Sequence, residues 1–250
     1  MKMSNKDFLR YSKQIILKQV GVLGQKKISS TKVLIVGMGG LGCPVALYLC
    51  NLGINNIGIV DYDRVEFSNL NRQILYDTTD IGKLKVIQAK KKLQKTNTKI
   101  RINTYKEKII KKNIQRILGK YEIICDCSDN FLTRYLLNDF CLKNKKILIS
   151  AAISKFETHI FNFNFSKNIP CYRCFMPEIP NEEIKCDTNG ILPTVAGIAG
   201  TLQANEVVKS ILNKNNELVG KMIVFNTLSL NFRKIKLTRN ADCVSACSKR

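Results

Sequence analysis

Four glycines stand close together early in the chain, in the run Gly37-Met38-Gly39-Gly40-Leu41-Gly42. An apolar segment precedes them, and Asp61 stands 19 residues after Gly42. Glycines at this spacing allow a tight turn and let backbone amides approach a phosphate, while an acidic side chain about 20 residues further on can accept hydrogen bonds from ribose hydroxyls. The pattern predicts an adenine-nucleotide site, and the alternative is a glycine turn that binds no ligand.

Two close pairs of cysteines form a second candidate site. Cys171 and Cys174 are separated by two residues, and Cys243 and Cys247 by three. Four thiolates in two close pairs are typical of a closed tetrahedral zinc site. The alternative is that these cysteines are small buried hydrophobic residues, but polar neighbours such as Arg173 favour turns rather than core. The sequence therefore predicts a structural zinc.

Alternating strands and helices are predicted to position these residues. Repeated strand–helix–strand units favour a parallel sheet with right-handed crossovers and helices on both faces, which is a Rossmann-like α/β fold. The predicted strands lie near residues 33–36, 57–61, 100–105, 121–126 and 147–152, and the predicted helices lie near 44–52, 84–95 and 131–142.

The two ends of the chain follow other patterns. A polar N-terminal helix is predicted over about Ser4–Val20. After Ser150 the alternation of apolar and polar residues at 160–165 predicts a half-exposed antiparallel strand. A long helix over about Thr194–Leu212 and further antiparallel strands at 221–226 and 229–237 complete the prediction.

Length and composition exclude several classes of protein. The 250 residues, 45% hydrophobic and 24% charged, fit one folded unit of enzyme size rather than a small disulfide scaffold or a disordered chain.

The stretch Val33–Val60 has no charged residue, but its glycines favour a strand, a turn and a helix over a membrane span. Ten cysteines and an N-terminus without an apolar leader predict a reducing, cytoplasmic location.

The formal net charge of +22 raises the question of a polyanionic partner. A dense basic surface binds nucleic acid through counterion release. Lysines spread over many helices are usually solvated, however, and a polyanionic substrate or an acidic protein partner fits the charge equally well. Nucleic-acid recognition is therefore not expected to be the main role.

Several longer segments carry a resemblance to a known family. They run in order from about residue 8 to 247, and the chain resembles the ubiquitin-activating-enzyme-like adenylyltransferases of the ThiF/MoeB/HesA family. The resemblance implies a single adenylyltransferase domain over 1–250, with a helical arm (1–30), a nucleotide-binding half (31–152) and a carrier-binding and zinc half (153–250). The segments include RYSKQIIL, VGMGGLGCPVALYL, VDYDRVEFSNLNRQ, IGKLKV, CDCSDN, CYRC and GTLQANEVVK.

The resemblance implies a reaction and its partners. The C-terminal glycine carboxylate of a ubiquitin-like sulfur carrier ending in Gly-Gly would attack the α-phosphate of ATP, giving an acyl-adenylate and pyrophosphate. The implied cofactors are ATP, Mg²⁺ and Zn²⁺, and the implied pathways are molybdopterin and thiamin biosynthesis. A separate donor, such as a cysteine desulfurase or a rhodanese, would supply the sulfur. A carboxylate is already ionised at pH 7, so the step needs fixed cations rather than a general base.

The resemblance also implies roles for individual residues. Arg72 and Lys85 would be cations facing the triphosphate, and Asp129 would be the Mg²⁺ ligand. From the residues alone, Lys85 could instead be a solvated helix lysine, and Asp129 could cap the helix that begins near Phe131. The full nucleotide-binding set would be Gly37, Gly39, Gly40, Gly42, Asp61, Asp63, Asn69, Arg72, Gln73, Lys85, Asp129 and Asn130.

Two implied catalytic residues depend on other features of the family. Members form homodimers in which an arginine of the N-terminal helix reaches the partner's nucleotide, and here Lys13 stands at that position. Cys186 lies in a polar loop beside Lys185, where a thiolate could take the activated carrier as a covalent adduct. In the zinc motif the second pair departs from the family, because three residues rather than two separate Cys243 from Cys247.

Three other functions compete with this hypothesis. A related tRNA-modifying adenylating cyclase would use the same nucleotide site, and the charge of +22 is consistent with it. An NAD-dependent oxidoreductase would explain the glycine turn, but one histidine and no separate substrate domain make it the weaker prediction. A non-catalytic nucleotide-binding module would bind ATP without turnover.

Overall fold

The computed structural model describes residues 3–179, 190–214 and 217–243. The strands are β1 (Lys32–Val36), β2 (Asn56–Val60), β3 (Arg101–Tyr105), β4 (Ile123–Asp126), β5 (Ile147–Ser154), β6 (Glu157–Asn164), β7 (Lys221–Asn226) and β8 (Asn231–Lys236). The helices are α1 (Asn5–Ile15), α2 (Gly21–Ser30), α3 (Gly42–Asn51), α4 (Lys85–Thr96), α5 (Ile114–Leu118), α6 (Phe131–Lys143), α7 (Tyr172–Phe175) and α8 (Pro193–Leu212).

The described strands form one mixed sheet in the order β3-β2-β1-β4-β5-β6-β7-β8. The first five are parallel, and β6, β7 and β8 are antiparallel. In the centre, Ile35 on β1 lies between Ile59 on β2 and Cys125 on β4. The chain leaves β1 towards β2 and β3, and then returns to place β4 on the other side. This reversal opens a crevice at the carboxyl ends of β1 and β4, where ligands bind in such sheets. The predicted Rossmann-like fold with antiparallel C-terminal strands is confirmed.

Side-chain alternation along the strands builds two cores, because successive residues of a strand point to opposite faces. On β1, Val33 and Ile35 join the core under α3, α4 and α8, whereas Leu34 and Val36 join the core under α5 and α6. All four side chains are at most 4% exposed. The sheet is therefore covered on both faces along its parallel strands, as predicted from the alternating pattern.

The N-terminal prediction is partly wrong. A single helix over Ser4–Val20 was expected, but the chain forms α1, which ends at Ile15, and then α2, which begins at Gly21. Gly21 has a φ of +60°, a left-handed conformation that turns the chain between the two helices. Ser4 caps α1, and its side chain accepts a hydrogen bond from the amide of Asp7.

The antiparallel strand predicted at 160–165 is present as β6, but it is not half-exposed. Asn162 and Phe163 are both 0% exposed. Helix α8 covers the face that carries Asn162, and the amide of this side chain donates to Glu206 Oε2 (3.1 Å) and Ser210 Oγ (3.0 Å). The alternation came from a buried polar contact between strand and helix rather than from solvent exposure.

Helix α8 packs closely on α3 and on the middle of the sheet. A Cβ at Gly200 would lie 2.5 Å from Pro44 Cγ, so glycine allows the two helices to approach. This close contact between α8 and α3 fixes α3, whose N-terminus begins at the glycine turn.

None of the helices in the described residues is long and apolar enough to cross a membrane.

Candidate functional site

A cavity of about 430 Å³ lies at the carboxyl ends of β1, β2, β4 and β5. It brings together ten residues of the predicted nucleotide-binding set, whereas Gly42 and Asn69 are not part of its wall. It then continues to an apolar end beside β6 and α7. The wall includes Gly37, Gly39, Gly40, Asp61, Asp63, Arg72, Gln73, Lys85, Asp129 and Asn130 at the first end, and Ile153, His159, Phe161, Tyr172, Phe175 and Met176 at the second.

The glycine turn is held from both sides. The amide of Met38 donates to Asp61 Oδ2 (2.7 Å), and its carbonyl accepts from the Tyr76 hydroxyl (3.0 Å). Gly37 has a φ of +95°, and a Cβ there would lie 2.5 Å from the backbone oxygen of Cys127. The fixed turn therefore presents backbone amides and the positive end of α3 to the cavity, which suits an anionic ligand.

Gly42 and Asn69 support the wall from behind. A Cβ at Gly42 would lie 1.9 Å from the carbonyl oxygen of Gly37, so only glycine allows the turn to close onto the helix. The side chain of Asn69 is buried, and its amide donates to Ser68 Oγ (3.3 Å). The backbone carbonyl of Asn69 accepts from the amides of Arg72 and Gln73. Both positions shape the segments that line the cavity rather than facing it.

Asp61 closes β2 at the edge of the cavity. In addition to its bond with Met38, it accepts from the amide of Asp63 through Oδ1 (2.8 Å). Burial raises the pKa of the Asp61 carboxyl, whereas the two amide donors and nearby Lys85 act in the opposite direction. Each carboxylate oxygen can accept more than one hydrogen bond, so a ribose hydroxyl could still be bound here.

Lys85 is the first residue of α4 and is only 6% exposed. Its Nζ lies 3.0 Å from Asp63 Oδ2, and its amide donates to the carbonyl of Asp63 (3.0 Å). The alternative of a solvated helix lysine is therefore wrong. A fixed ammonium group in a partly desolvated cavity interacts more strongly with phosphate than one in water.

Arg72 and Gln73 form another part of the wall. Arg72 Nη1 donates to the carbonyl of Ser68 (2.9 Å) and to Asn71 Oδ1 (3.2 Å), which fixes one side of the guanidinium. Gln73 is 4% exposed, and its Oε1 has no hydrogen-bond partner among the described residues. Buried polar atoms are normally paired, so this orphan acceptor beside the glycine turn fits a site that binds a ligand.

Asp129 and Asn130 follow β4 and have different surroundings. Asn130 Oδ1 accepts from the amide of Thr133 (2.9 Å) and so caps α6. The alternative that Asp129 caps this helix is wrong, and the exposed carboxylate of Asp129 is available to the cavity. Magnesium is commonly bound by one or two carboxylates together with substrate phosphates, so this donor fits Mg²⁺.

Beneath Asp129 lies a buried ion pair that sequence reasoning missed. Arg134 Nε lies 3.6 Å from Asp126 Oδ2, and Arg134 Nη2 donates to the carbonyls of Ser128 (3.0 Å) and Ala151 (3.1 Å). Asp126 also accepts from the Ser150 hydroxyl (2.7 Å). The signal was an arginine in the first half of a largely apolar helix, since a buried charge must be paired.

The second end of the cavity is aromatic. The ring of Phe161 packs against Tyr172 and Phe175, with centroids 5.6 and 5.3 Å apart. Tyr172 is anchored because its amide donates to Asn138 Oδ1 (2.8 Å). His159, the single histidine of the sequence, also lines this end. The sequence identifies it as the single histidine but does not reveal its position in the cavity.

Three of the four predicted zinc ligands come together. The Sγ atoms of Cys171, Cys174 and Cys243 lie within 4.8 Å of one another, and those of Cys171 and Cys243 are 3.6 Å apart. Sulfur ligands about 2.3 Å from a tetrahedral zinc lie roughly 3.8 Å apart, so the arrangement fits that metal. Burial raises the pKa of the Cys171 thiol to about 12, and a bound cation would allow it to ionise. Cys247 lies outside the described residues.

The other cysteines of the described residues are buried in the core. Burial raises the pKa of the Cys43 thiol to about 12 and that of Cys50 to about 11, and it places Cys125, Cys127 and Cys141 further still from ionisation. These five cysteines are buried thiols that pack within the core.

Lys13 and Cys186 stay predictions as catalytic residues. Lys13 lies on the exposed surface of α1 and is not among the residues that line the cavity, so its predicted action in a partner subunit stays a prediction. Cys186 lies outside the described residues.

Comparison with known sequences agrees with this geometry. The ThiF family matches residues 11–245. The chain is 43% identical over 250 residues to "Adenylyltransferase and sulfurtransferase MOCS3" of Culex quinquefasciatus, covering 99% of this chain and 57% of that protein. The MOCS3 protein of Xenopus laevis is 41% identical, covering 98% of this chain and 55% of the relative. The chain thus spans slightly more than half the length of the curated relatives it matches.

Solved structures support the fold. Escherichia coli MccB with AMPCPP and SeMet MccA has a TM-score of 0.84 at 24% identity, covering 98% of this chain and 75% of that one. SeMet PaaA has a TM-score of 0.82 at 23% identity, covering 95% of this chain and 76% of that one. Because the family match extends over nearly the whole sequence, the chain belongs to the ThiF family.

Proposed function

We propose that the chain is an ATP-dependent adenylyltransferase that activates the C-terminal glycine carboxylate of a ubiquitin-like sulfur carrier and releases pyrophosphate. One observation carries the proposal: a single cavity joins the glycine turn, Lys85, Arg72 and Asp129 to an apolar end that can admit a second substrate. The relatives, named adenylyltransferase and sulfurtransferase, support the same chemistry.

The residues of the cavity divide the task of adenylation. The glycine-turn amides and Lys85 would hold the phosphates of ATP, while Asp61 would hold the ribose. The incoming carboxylate is ionised at neutral pH, so its attack on the α-phosphorus needs alignment and charge stabilisation rather than a base. Lys85 is already fixed by Asp63 at 3.0 Å, so its charge need not be reorganised during the reaction.

The proposal includes two metals. Magnesium held by Asp129 would neutralise charge on the phosphates. Zinc held by Cys171, Cys174, Cys243 and Cys247 would tie the segment after β8 to α7 and the residue that precedes it. We also assign Cys186 to a covalent carrier adduct, and Lys13 to the phosphates bound by the partner of a homodimer.

The cellular setting is proposed as well. The chain would act in the cytoplasm, where its thiols stay reduced. A cysteine desulfurase or a rhodanese would supply the sulfur. The carrier would serve molybdopterin biosynthesis, which the MOCS3 relatives favour over thiamin biosynthesis.

The division of the chain follows from these roles. Residues 1–250 would form one adenylyltransferase domain. Its parts would be a helical arm (1–30), a nucleotide-binding half (31–152) and a carrier-binding and zinc half (153–250). The cavity supports this division, because its phosphate end lies mainly in the first half and its aromatic end mainly in the second.

The test is ATP–pyrophosphate exchange with Mg²⁺ and a carrier ending in Gly-Gly. Exchange is expected with the intact carrier and not with the same carrier lacking its last two residues. Parallel binding measurements with ATP and NAD test the oxidoreductase. An exchange assay with tRNA in place of the carrier tests the cyclase, with which the charge of +22 is consistent. ATP binding without exchange in the presence of either the carrier or tRNA would indicate a non-catalytic module and defeat the proposal.

A further inference from the structure

We propose that His159 is a specificity-determining residue that hydrogen-bonds the main chain of the carrier's C-terminal tail. This inference rests on the proposed function and names the contact that guides the tail to the nucleotide. It concerns a residue in the aromatic end of the cavity, away from the glycine turn. No other histidine occurs in the sequence.

The position of His159 places it on a path across the sheet. On β6 it lies opposite Ala152 of β5 and Val224 of β7. Ala152 and Ser154 also line the cavity, so the wall continues from β5 to β6. A chain that approaches the glycine turn from the antiparallel side of the sheet would pass His159 first.

The neighbours of His159 restrict what can pass. Ile153, Phe161, Phe175 and Met176 line the same end of the cavity and offer apolar surface. A tail made of glycines fits beside aromatic rings because it has no side chains to accommodate. Its peptide groups would lose water there, however, and an unpaired buried peptide group is strongly unfavourable. A polar side chain in this wall can therefore hydrogen-bond peptide groups that would otherwise be unpaired.

The charges around His159 favour a neutral ring. Burial lowers the pKa of the imidazole, and Arg134 from α6 and Arg233 from β8 lower it further, while Glu157 on the same strand raises it. The net effect lowers the pKa of His159, so the ring is neutral at pH 7. A neutral imidazole offers one donor and one acceptor, which matches the two polar groups of a peptide unit.

Glu157 does not explain why the histidine is present. Its Oε2 lies 3.7 Å from His159 Nε2, beyond hydrogen-bond distance, and the two side chains are 39% and 34% exposed. Pairs this exposed contribute little to stability.

Steady-state kinetics of His159 variants test the contact. In ATP–pyrophosphate exchange, His159→Leu is expected to raise KM for the carrier about tenfold, the order of one lost hydrogen bond, while KM for ATP stays within about twofold. His159→Asn, which places an amide near the position of Nδ1, is expected to recover most of the loss. Glu157→Gln is the matched control, and it should leave both KM values unchanged at pH 7.

A direct binding measurement removes the dependence on turnover. Because the sequence has one histidine, the imidazole Cε1–H NMR signal of protein purified without a histidine tag needs no assignment. The intact carrier is expected to shift this signal, and the carrier without its terminal Gly-Gly is not.

The outcomes separate two failures. If wild-type protein shows carrier-dependent exchange, but the His159 signal stays in place and His159→Leu keeps its carrier KM, only the role of His159 is wrong. If wild-type protein shows no exchange and the carrier does not shift the signal, the proposed function and this inference both fall. A shift without exchange would keep the tail contact and reject the adenylation.

Discussion

Asp126 and Arg134 form an ion pair that is almost completely buried, at 3.6 Å, directly beneath the segment that carries Asp129. Arg134 also holds the carbonyls of Ser128 and Ala151, so the ends of β4 and β5 are joined through one guanidinium group. The position of the Asp129 carboxylate thus depends on a residue that need not touch a nucleotide.

The first prediction concerns this pair. Arg134→Met is expected to lower the free energy of unfolding by about 3–5 kcal/mol, because it leaves Asp126 charged and buried. The double variant Asp126→Asn/Arg134→Met should recover part of that loss. Urea denaturation measures both, and equal stability of the single and double variants would contradict the explanation.

The second prediction concerns Lys85. Lys85→Met should reduce kcat/KM for ATP–pyrophosphate exchange by about 10²–10³-fold, as expected for the loss of a fixed charge-stabilising donor. Its melting temperature should change little, because Asp63 is 47% exposed and can remain solvated. Lys91→Met, an exposed position on the same helix, is the control and should behave as wild type.

The third prediction separates two neighbours. Asn130→Ala should destabilise the protein by about 1 kcal/mol, because α6 loses its N-cap, whereas Asn130→Asp should not. Asp129→Asn should leave the free energy of unfolding unchanged and raise the Mg²⁺ concentration needed for half-maximal exchange. Thermal unfolding and magnesium titration provide the measurements, and a stability loss in Asp129→Asn would argue against its assignment as a metal ligand.

The fourth prediction concerns the cysteine cluster. Purified protein should contain about one zinc per chain, and Cys174→Ser should lose the metal and unfold at a lower temperature. Cys50→Ala, which changes a buried cysteine far from the cluster in the chain, should keep it. Metal analysis and a chelator titration followed by circular dichroism can establish this. Zinc content that is unchanged in Cys174→Ser would remove the residue from the site.

The fifth prediction concerns pH. The pKa of His159 is lowered in the folded protein, so the unfolded chain binds the proton more readily. The contribution of this imidazole to the free energy of unfolding is therefore fully present above its ordinary pKa of about 6.5. It is lost as the pH falls from that value through the pKa of the folded state. Wild type should lose more unfolding free energy between pH 7 and pH 5.5 than His159→Gln. Equal losses of unfolding free energy in wild type and His159→Gln would show that the imidazole does not titrate in the expected direction.

The fold was predictable where local patterns matched tertiary contacts. The parallel strands read as short apolar runs because both faces are buried, and the glycine turn was recognisable because its geometry excludes side chains. Asn162 misled the prediction, since a polar residue in a strand was taken as exposed and instead meets Glu206 of α8. The break at Gly21 depended on one left-handed residue that a helical pattern does not reveal.

The site was predictable only in part. Asp129 and Lys85 were named from motif position, but the Lys85–Asp63 pair needed the structure. Arg134 and His159 could not be assigned, because their significance lies in residues from other strands and helices that the fold brings close. Single-sequence patterns carry spacing along the chain and little of this kind of proximity.

The cysteine cluster joins Cys171 to Cys243, which stand 72 residues apart. A ribosome releases the strands and helices around the glycine turn first, and such units can begin to fold during synthesis. Cys243 emerges only after α8, β7 and β8. Capture of the proposed zinc would then be among the last steps of maturation, because the cluster cannot close before Cys243 has left the ribosome.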